Sequence, residues 1–320
     1  MLALVIRRLG EAFATLFGVL LLVFALLVAS PGDPARLALR GSSGKAVAVS
    51  GEALAAFRAT YGLDRPIPER FLLWTSNAIR LDFGRSFQDG REVRVRVAET
   101  LPVTLLLNAL ALLLALSLSI PIAMLAAARP GGRLDRASGA VFDVIYATPA
   151  FVLGLALLLL FSVRLRWTSL FADPEEGLRG IALPVLTLAL AAMAPLTRTF
   201  RSLFLAALAS PADLAGRLRG ENRSERYRRA MRRSGASLTA VLATLVPTLV
   251  AGSVLVERLF SLRGAGELLA EAVFARDVPT VLALTIISAV AVVVTSLVAD
   301  LVAAALDPRL VAPRGAEAAP

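Results

Sequence analysis

The 320-residue sequence has no cysteine and no histidine, and Lys45 is its only lysine. The first two absences exclude disulfides, thiolate nucleophiles, imidazole acid–base chemistry and the usual zinc sites. The third leaves a net charge of +10 to be carried almost wholly by arginine. What fills the chain instead is apolar: 57% of residues are hydrophobic and the mean hydropathy is +0.74. Ordinary globular chains are roughly 45–50% apolar, so the composition points to a membrane. A strongly basic soluble domain would suggest nucleic acid. Here the cations fall between apolar blocks, where insertion polarity and anionic lipid account for them, and no nucleic-acid partner is expected.

Six blocks are long enough to cross about 30 Å of hydrocarbon as helices. They run roughly over 10–29, 101–128, 139–163, 182–206, 237–259 and 280–305. Arg7 and Arg8 before the first block resemble the start of a secretory signal, but its length and the five further blocks favour a retained anchor. The expected fold is therefore all-α, a polytopic membrane protein with six transmembrane helices. Its expected divisions are an N-terminal span (1–29), a helical extracytoplasmic segment (30–100), a five-helix core (101–310) and a flexible tail (311–320). Arginine totals do not choose an orientation. The short loops 129–138 and 207–236 are the most basic, which puts them and both termini in the cytoplasm.

Within 30–100, "SGEALAAFRATYGL" has helical apolar spacing behind Ser50 as a cap, and "IPERFLLWTSNAIRLDF" reads as a second amphipathic helix. "DRPIP" breaks the helix between them, and "GSSGKAVAVSG" reads as flexible loop.

The loop 207–236 is the most basic part of the chain, with eight arginines in residues 216–235. Ser210, Pro211 and Asp213 are suited to start a helix that stops at Gly220, Asp213 serving the helix dipole. Ser224 is a candidate cap for a second short helix over 225–234, with Gly235 as its stop. Charge alone is also satisfied if Arg228, Arg229, Arg232 and Arg233 merely fix sidedness.

The run "ASPADLAGRLRGENRSERYRRAMRRSGASL", followed by "GSVLVERLFSLRGAGELL", resembles the inner-membrane permeases of ATP-binding-cassette importers. The likeness is to the first permease subunit of the dipeptide, oligopeptide and nickel branch. It is sustained, in order, by "LLVASPGDPA", "YGLDRPIPERFLLW", "LDFGRSFQDGREV", "ETLPVTLLL", "RPGGRLDR", "TPAFVLGLALLLLFSVRL", "LPVLTLAL" and "DPRL".

The resemblance implies the type I permease fold of these importers and half of a peptide translocation pathway worked by alternating access. The implied partners are a second homologous permease, two ATPase subunits, an extracytoplasmic solute-binding protein and membrane lipid. Nickel or other metal-chelate uptake, antimicrobial-peptide uptake, and a transport-inactive scaffold or sensor are the alternatives.

No catalytic residue, bound cofactor or metal is expected in this chain, and ATP and Mg are expected on the partner ATPases. The lone lysine lies in "LRGSSGKA", where Leu39 and Ala46 break the phosphate-loop pattern. The family's loop carries Glu-Ala-Ala-x-x-x-Gly on a helix that docks into the ATPase. Matched on Gly220, its first three positions hold Leu214, Ala215 and Gly216, so the glutamate is absent. A register with Asn222 at the glycine position is also open. The candidate coupling residues are Leu214, Ala215, Gly216, Arg217, Arg219, Gly220, Glu221, Ser224 and Glu225. Thr104 and Asn108, one turn apart, are candidates for a polar path or for interhelical bonds. Glu257 and Arg258 are candidates for an outer gate, while Asp143, Arg198 and Asp300 read as interfacial or interhelical.

Overall fold

The computed structural model describes residues 2–29, 35–36, 39 and 50–306. The "GSSGKAVAVSG" loop up to residue 49, the Pro-Gly-Asp-Pro at 31–34, "DPRL", the tail and the side chain of Asp300 lie outside the described residues. Regular structure among the described residues is helical, with one isolated antiparallel bridge between Arg85 and Glu92.

The helices are α1 (Leu2–Ala29), α2 (Gly51–Thr60), α3 (Ile67–Ile79), α4 (Val93–Ala128), α5 (Arg133–Ala147) and α6 (Ala150–Leu158). They continue with α7 (Leu178–Leu208), α8 (Pro211–Leu218), α9 (Arg223–Leu259), α10 (Ala265–Ala275) and α11 (Val278–Leu306). Of the described segments, Val93–Ala128, Leu178–Leu208 and Val278–Ala299 are each long and apolar enough to cross a membrane. The apolar stretch Gly10–Leu26 of α1 is shorter.

The third apolar block is not one straight helix. The segments Arg133–Ala147 and Ala150–Arg164 meet at 102°. Pro149 is the cause, since the ring pushes its predecessor out of the αR region, and Thr148 is extended at φ −96°, ψ 125°. Past α6 the helix widens into a π-helical turn, Leu159–Arg164.

The described chain groups into two compact units, Leu105–Leu262 with residues up to Val5 and from Val292 onward, and Ile6–Thr104 with Arg263–Ala291. In the first, α7 is the most enclosed helix; Leu188, Ala189, Leu196, Phe200 and Phe204 are each at most 2% exposed. It packs against α5, α6 and α9. Gly154 of α6 permits a close approach, because a Cβ there would lie 2.8 Å from Leu259 and 3.1 Å from Thr187. Asp135 of α5 takes two hydrogen bonds from Arg201 of α7, at 2.5 and 2.7 Å, and Asp143 pairs with Arg198.

In the second unit, Phe83, Val93, Val97, Leu268, Ala283 and Leu284 form an apolar core. Ser50 caps α2 through the Ala53 amide at 3.2 Å, and α3 begins at Ile67 after Pro66, as the sequence leads one to expect. Phe57 of α2 and Tyr61 at its C-terminal cap stack edgewise on Phe87 at 5.3 and 4.7 Å. Asp277, fully buried before α11, accepts hydrogen bonds from Ser86 Oγ (2.5 Å), the Phe87 amide (2.9 Å) and Thr280 Oγ1 (2.7 Å). Arg96 stands 3.4 Å from the same carboxylate. A buried carboxylate must be paired or hydrogen-bonded, and these donors tie the loop around residue 86 to the start of α11.

Candidate functional site

The basic loop folds as a hairpin of α8 and the root of α9. Ser210 caps α8 by accepting from the Asp213 amide at 3.4 Å, and Pro211 occupies the first helical position, where a missing N–H costs nothing. α8 ends at Leu218, and Gly220 adopts φ +76°, which only glycine takes without strain.

The second helix departs from expectation. Asn222, not Ser224, is its cap. Asn222 Oδ1 accepts from the Glu225 amide at 2.9 Å, and the Glu225 carboxylate accepts from the Asn222 amide at 3.1 Å, a reciprocal capping box. Ser224 instead donates its hydroxyl to Asn222 Oδ1 at 2.7 Å. Gly235 does not stop the helix either, for α9 runs unbroken to Leu259. A glycine inside a helix costs only about 1 kcal/mol, less than a long apolar continuation supplies.

Across this hairpin, carboxylates of one arm bind arginines of the other. Asp213, 3% exposed, receives Arg226 Nε at 2.9 Å and Nη2 at 2.6 Å in a fork, and Arg217 Nε at 2.9 Å. Hydrogen bonds from Arg226, then from Arg217, hold its carboxyl below the usual carboxylate range against the opposing effect of burial. The same bond holds the Arg226 guanidinium above its ordinary value. Glu221 binds Arg229 and, at 3.0 Å, Arg219. Arg233 Nη1 reaches Ser210 Oγ at 3.2 Å.

The sequence-derived coupling candidates divide between two faces of α8. Gly216 is buried beneath the Glu221–Arg229 pair, and a Cβ there would come within 2.3 Å of Arg229 Nη2. Ala215 is half-buried. Leu214 and Leu218 stand outward, 59% and 82% exposed, beside exposed Arg217 and Arg219. Glu225 is held in the capping box. Glu221, Glu225, Arg228, Arg229 and Arg232 line an open cleft of about 480 Å³.

Asp213, Arg226 and Arg229 are central to this geometry, yet only the Asp213–Arg217 spacing of four residues hinted at it. The Asp213–Arg226 fork joins two helices across a turn, and no single-helix period displays it.

Thr104 is buried and its hydroxyl accepts from the Ala265 amide at 2.8 Å, an interhelical tie. Asn108 is half-buried one turn later. Glu257 is wholly buried, whereas Arg258 next to it is exposed, so the two side chains meet different surroundings. Successive helix positions lie about 100° apart, which adjacency in sequence conceals. Asp143 and Arg198 are interhelical partners.

Comparison with known proteins bears on the chain as a whole. Residues 119–312 match the family described as binding-protein-dependent transport system inner membrane component. Residues 1–108 match the N-terminal region described for the membrane component of such systems. An oligopeptide transport system permease protein of Bacillus subtilis, AppB, is 33% identical over 97% of this chain and 99% of its own length. A dipeptide transport system permease protein of Lactococcus lactis, DppB, is 30% identical over 97% and 99%. A probable peptide ABC transporter permease of Sinorhizobium fredii is 28% identical over 96% and 98%. With the family matched over most of its length, this chain belongs to the binding-protein-dependent transport system inner membrane components and is a permease subunit of such a system.

Proposed function

We propose that the chain forms half of the translocation path of an ATP-driven peptide importer. It would pair with a second homologous permease and two ATPase subunits and receive cargo from an extracytoplasmic binding protein. The observation that carries the peptide assignment is similarity over nearly the whole chain to proteins named as oligopeptide and dipeptide permeases.

In this reading the chain crosses the membrane six times, by α1, α4, the bent α5–α6 pair, α7, the second half of α9 and α11. Residues 30–100 form an extracytoplasmic segment, 101–310 the core and 311–320 a tail, with both termini in the cytoplasm. The hairpin within 207–236 then faces the ATPase. Leu214 and Leu218 offer it an apolar contact, with Ala215, Arg217, Arg219 and Glu221 around them. The positive φ of Gly220 supports the register that sets Leu214 at the signature's glutamate position. ATP binding would close the ATPases, the hairpin would pass that motion to α7 and α9, and the outward mouth would open.

The test is reconstitution of the four membrane-complex subunits in proteoliposomes with the binding protein. Uptake of tri-alanine and of a mixed casein digest that needs both ATP and binding protein is expected. Uptake of a nickel chelate but of neither peptide probe sinks the peptide assignment.

A further inference from the structure

The hairpin poses a mechanical problem. α8 has eight residues, far below the roughly 12–15 at which an isolated helix becomes even marginal in water. Its two large apolar side chains, Leu214 and Leu218, point outward and do not pack it down. It is joined to α9 through Gly220, whose backbone permits many alternatives. Polar ties must therefore hold its angle. Asp213 supplies the best enclosed of these, binding the forked Arg226 of α9 and Arg217 of α8 at the same carboxylate. The Arg226 side chain is itself 18% exposed, and Asp213's is 4%. Forked, enclosed pairs of this kind resist shear better than exposed point contacts.

We infer that Asp213 is a positioning residue for energy coupling: its carboxylate makes α8 and the root of α9 move as one body. Force applied to the outward Leu214–Leu218 face then enters α9 one turn from its start and travels along a helix of about 55 Å that has Pro247 in its interior. The carboxylate lies one position before Leu214, so the hairpin uses its acid inwardly and presents an apolar face outwardly. The inference rests on the transport reading above and adds a residue and a role to it.

The experiment compares the parent complex with Asp213→Asn and Arg226→Lys, each copurified with its ATPases and reconstituted with binding protein. Two quantities are read: ATP hydrolysed, and tri-alanine or casein-digest peptide taken up per ATP. Asn keeps the size and loses the charge, while Lys keeps the charge and loses the fork. The expected result for Asp213→Asn is normal ATPase copurification and a fall in uptake per ATP on the order of tenfold, the scale of an ordinary coupling free energy. Arg226→Lys should fall between it and the parent. An unchanged ratio in both variants overturns the inference. So does loss of ATPase copurification in both, because Asp213 would then serve assembly alone. A parent complex that hydrolyses ATP without any uptake overturns the transport reading, and the inference with it.

Discussion

Gly180 and Gly139 are both helical glycines, but their surroundings give them opposite sensitivities. A Cβ on Gly180 would lie 1.8 Å from the Asp173 carbonyl oxygen, a backbone atom that cannot step aside. The same turn is held by the Asp173 amide donating to the Gly180 carbonyl at 3.3 Å. Gly139 in α5 has nothing within 4 Å of its Cβ position. Gly180→Ala should therefore cost about 1–3 kcal/mol by overpacking, whereas Gly139→Ala should be neutral or gain about 0.5–1 kcal/mol of helix propensity. Gly154→Ala should fall between them, since its nearest neighbour is the end of the Leu259 side chain. Unfolding of the three variants in detergent tests the order, and equal stabilities would refute it. Asp213 predicts a pH dependence. Its folded carboxyl titrates below the normal value, so the stabilisation it provides is complete above an unfolded pKa of about 3.9 and is lost as pH falls through the folded value. Hydrogen exchange of the α8 amides should show no added opening from this group between about pH 5 and 7.

At the scale of elements, the helices read correctly from the sequence were those whose signals were local. Ser50 and Ser210 cap α2 and α8 as their positions suggest, because an N-cap needs only its own next three residues. The second hairpin helix misled because two caps compete. Ser224 has the right chemistry, but Asn222 has it with Glu225 three residues later, which satisfies two backbone amides at once. Gly235 failed as a stop because a glycine ends a helix only where the chain has a reason to turn. The bend at Pro149 was likewise hidden, since hydropathy continues across it and prolines are common in membrane helices. The interhelical arginine ties were illegible for a different reason: they join residues 13 and 66 positions apart. If Asn222 truly starts α9, Asn222→Ala should destabilise the helix by about 1 kcal/mol. Ser224→Ala should cost less, because its hydroxyl bonds only to the exposed cap. Hydrogen exchange at residues 223–226 separates the two, and a larger effect from Ser224 would restore it as the cap.

For the whole molecule, family membership follows from the match over most of the chain, whereas the path of the chain through the membrane turns on the bent α5–α6 pair. A pair meeting at 102° is either one broken span or a loop that enters and leaves on the same side. The two cases differ in parity. Between Glu52 in α2 and Arg228 in α9 lie α4, the bent pair and α7. If the pair crosses, three crossings put Glu52 and Arg228 on opposite faces; if it is re-entrant, two crossings put them on the same face. The absence of cysteine makes the measurement direct, because any introduced thiol is the only one in the chain. Glu52, Arg136, Glu176 and Arg228 are all exposed, and each can be replaced singly by cysteine and challenged with a membrane-impermeant maleimide in intact cells. The six-span reading expects Glu52→Cys and Glu176→Cys to label at once, and Arg136→Cys and Arg228→Cys only after permeabilisation. A re-entrant pair would move Glu176→Cys to the side of Arg136→Cys and bring Arg228→Cys to the side of Glu52→Cys. That outcome would also remove the hairpin from the cytoplasm while residues 30–100 remain outside, so the coupling role and the topology stand or fall on the same four labels.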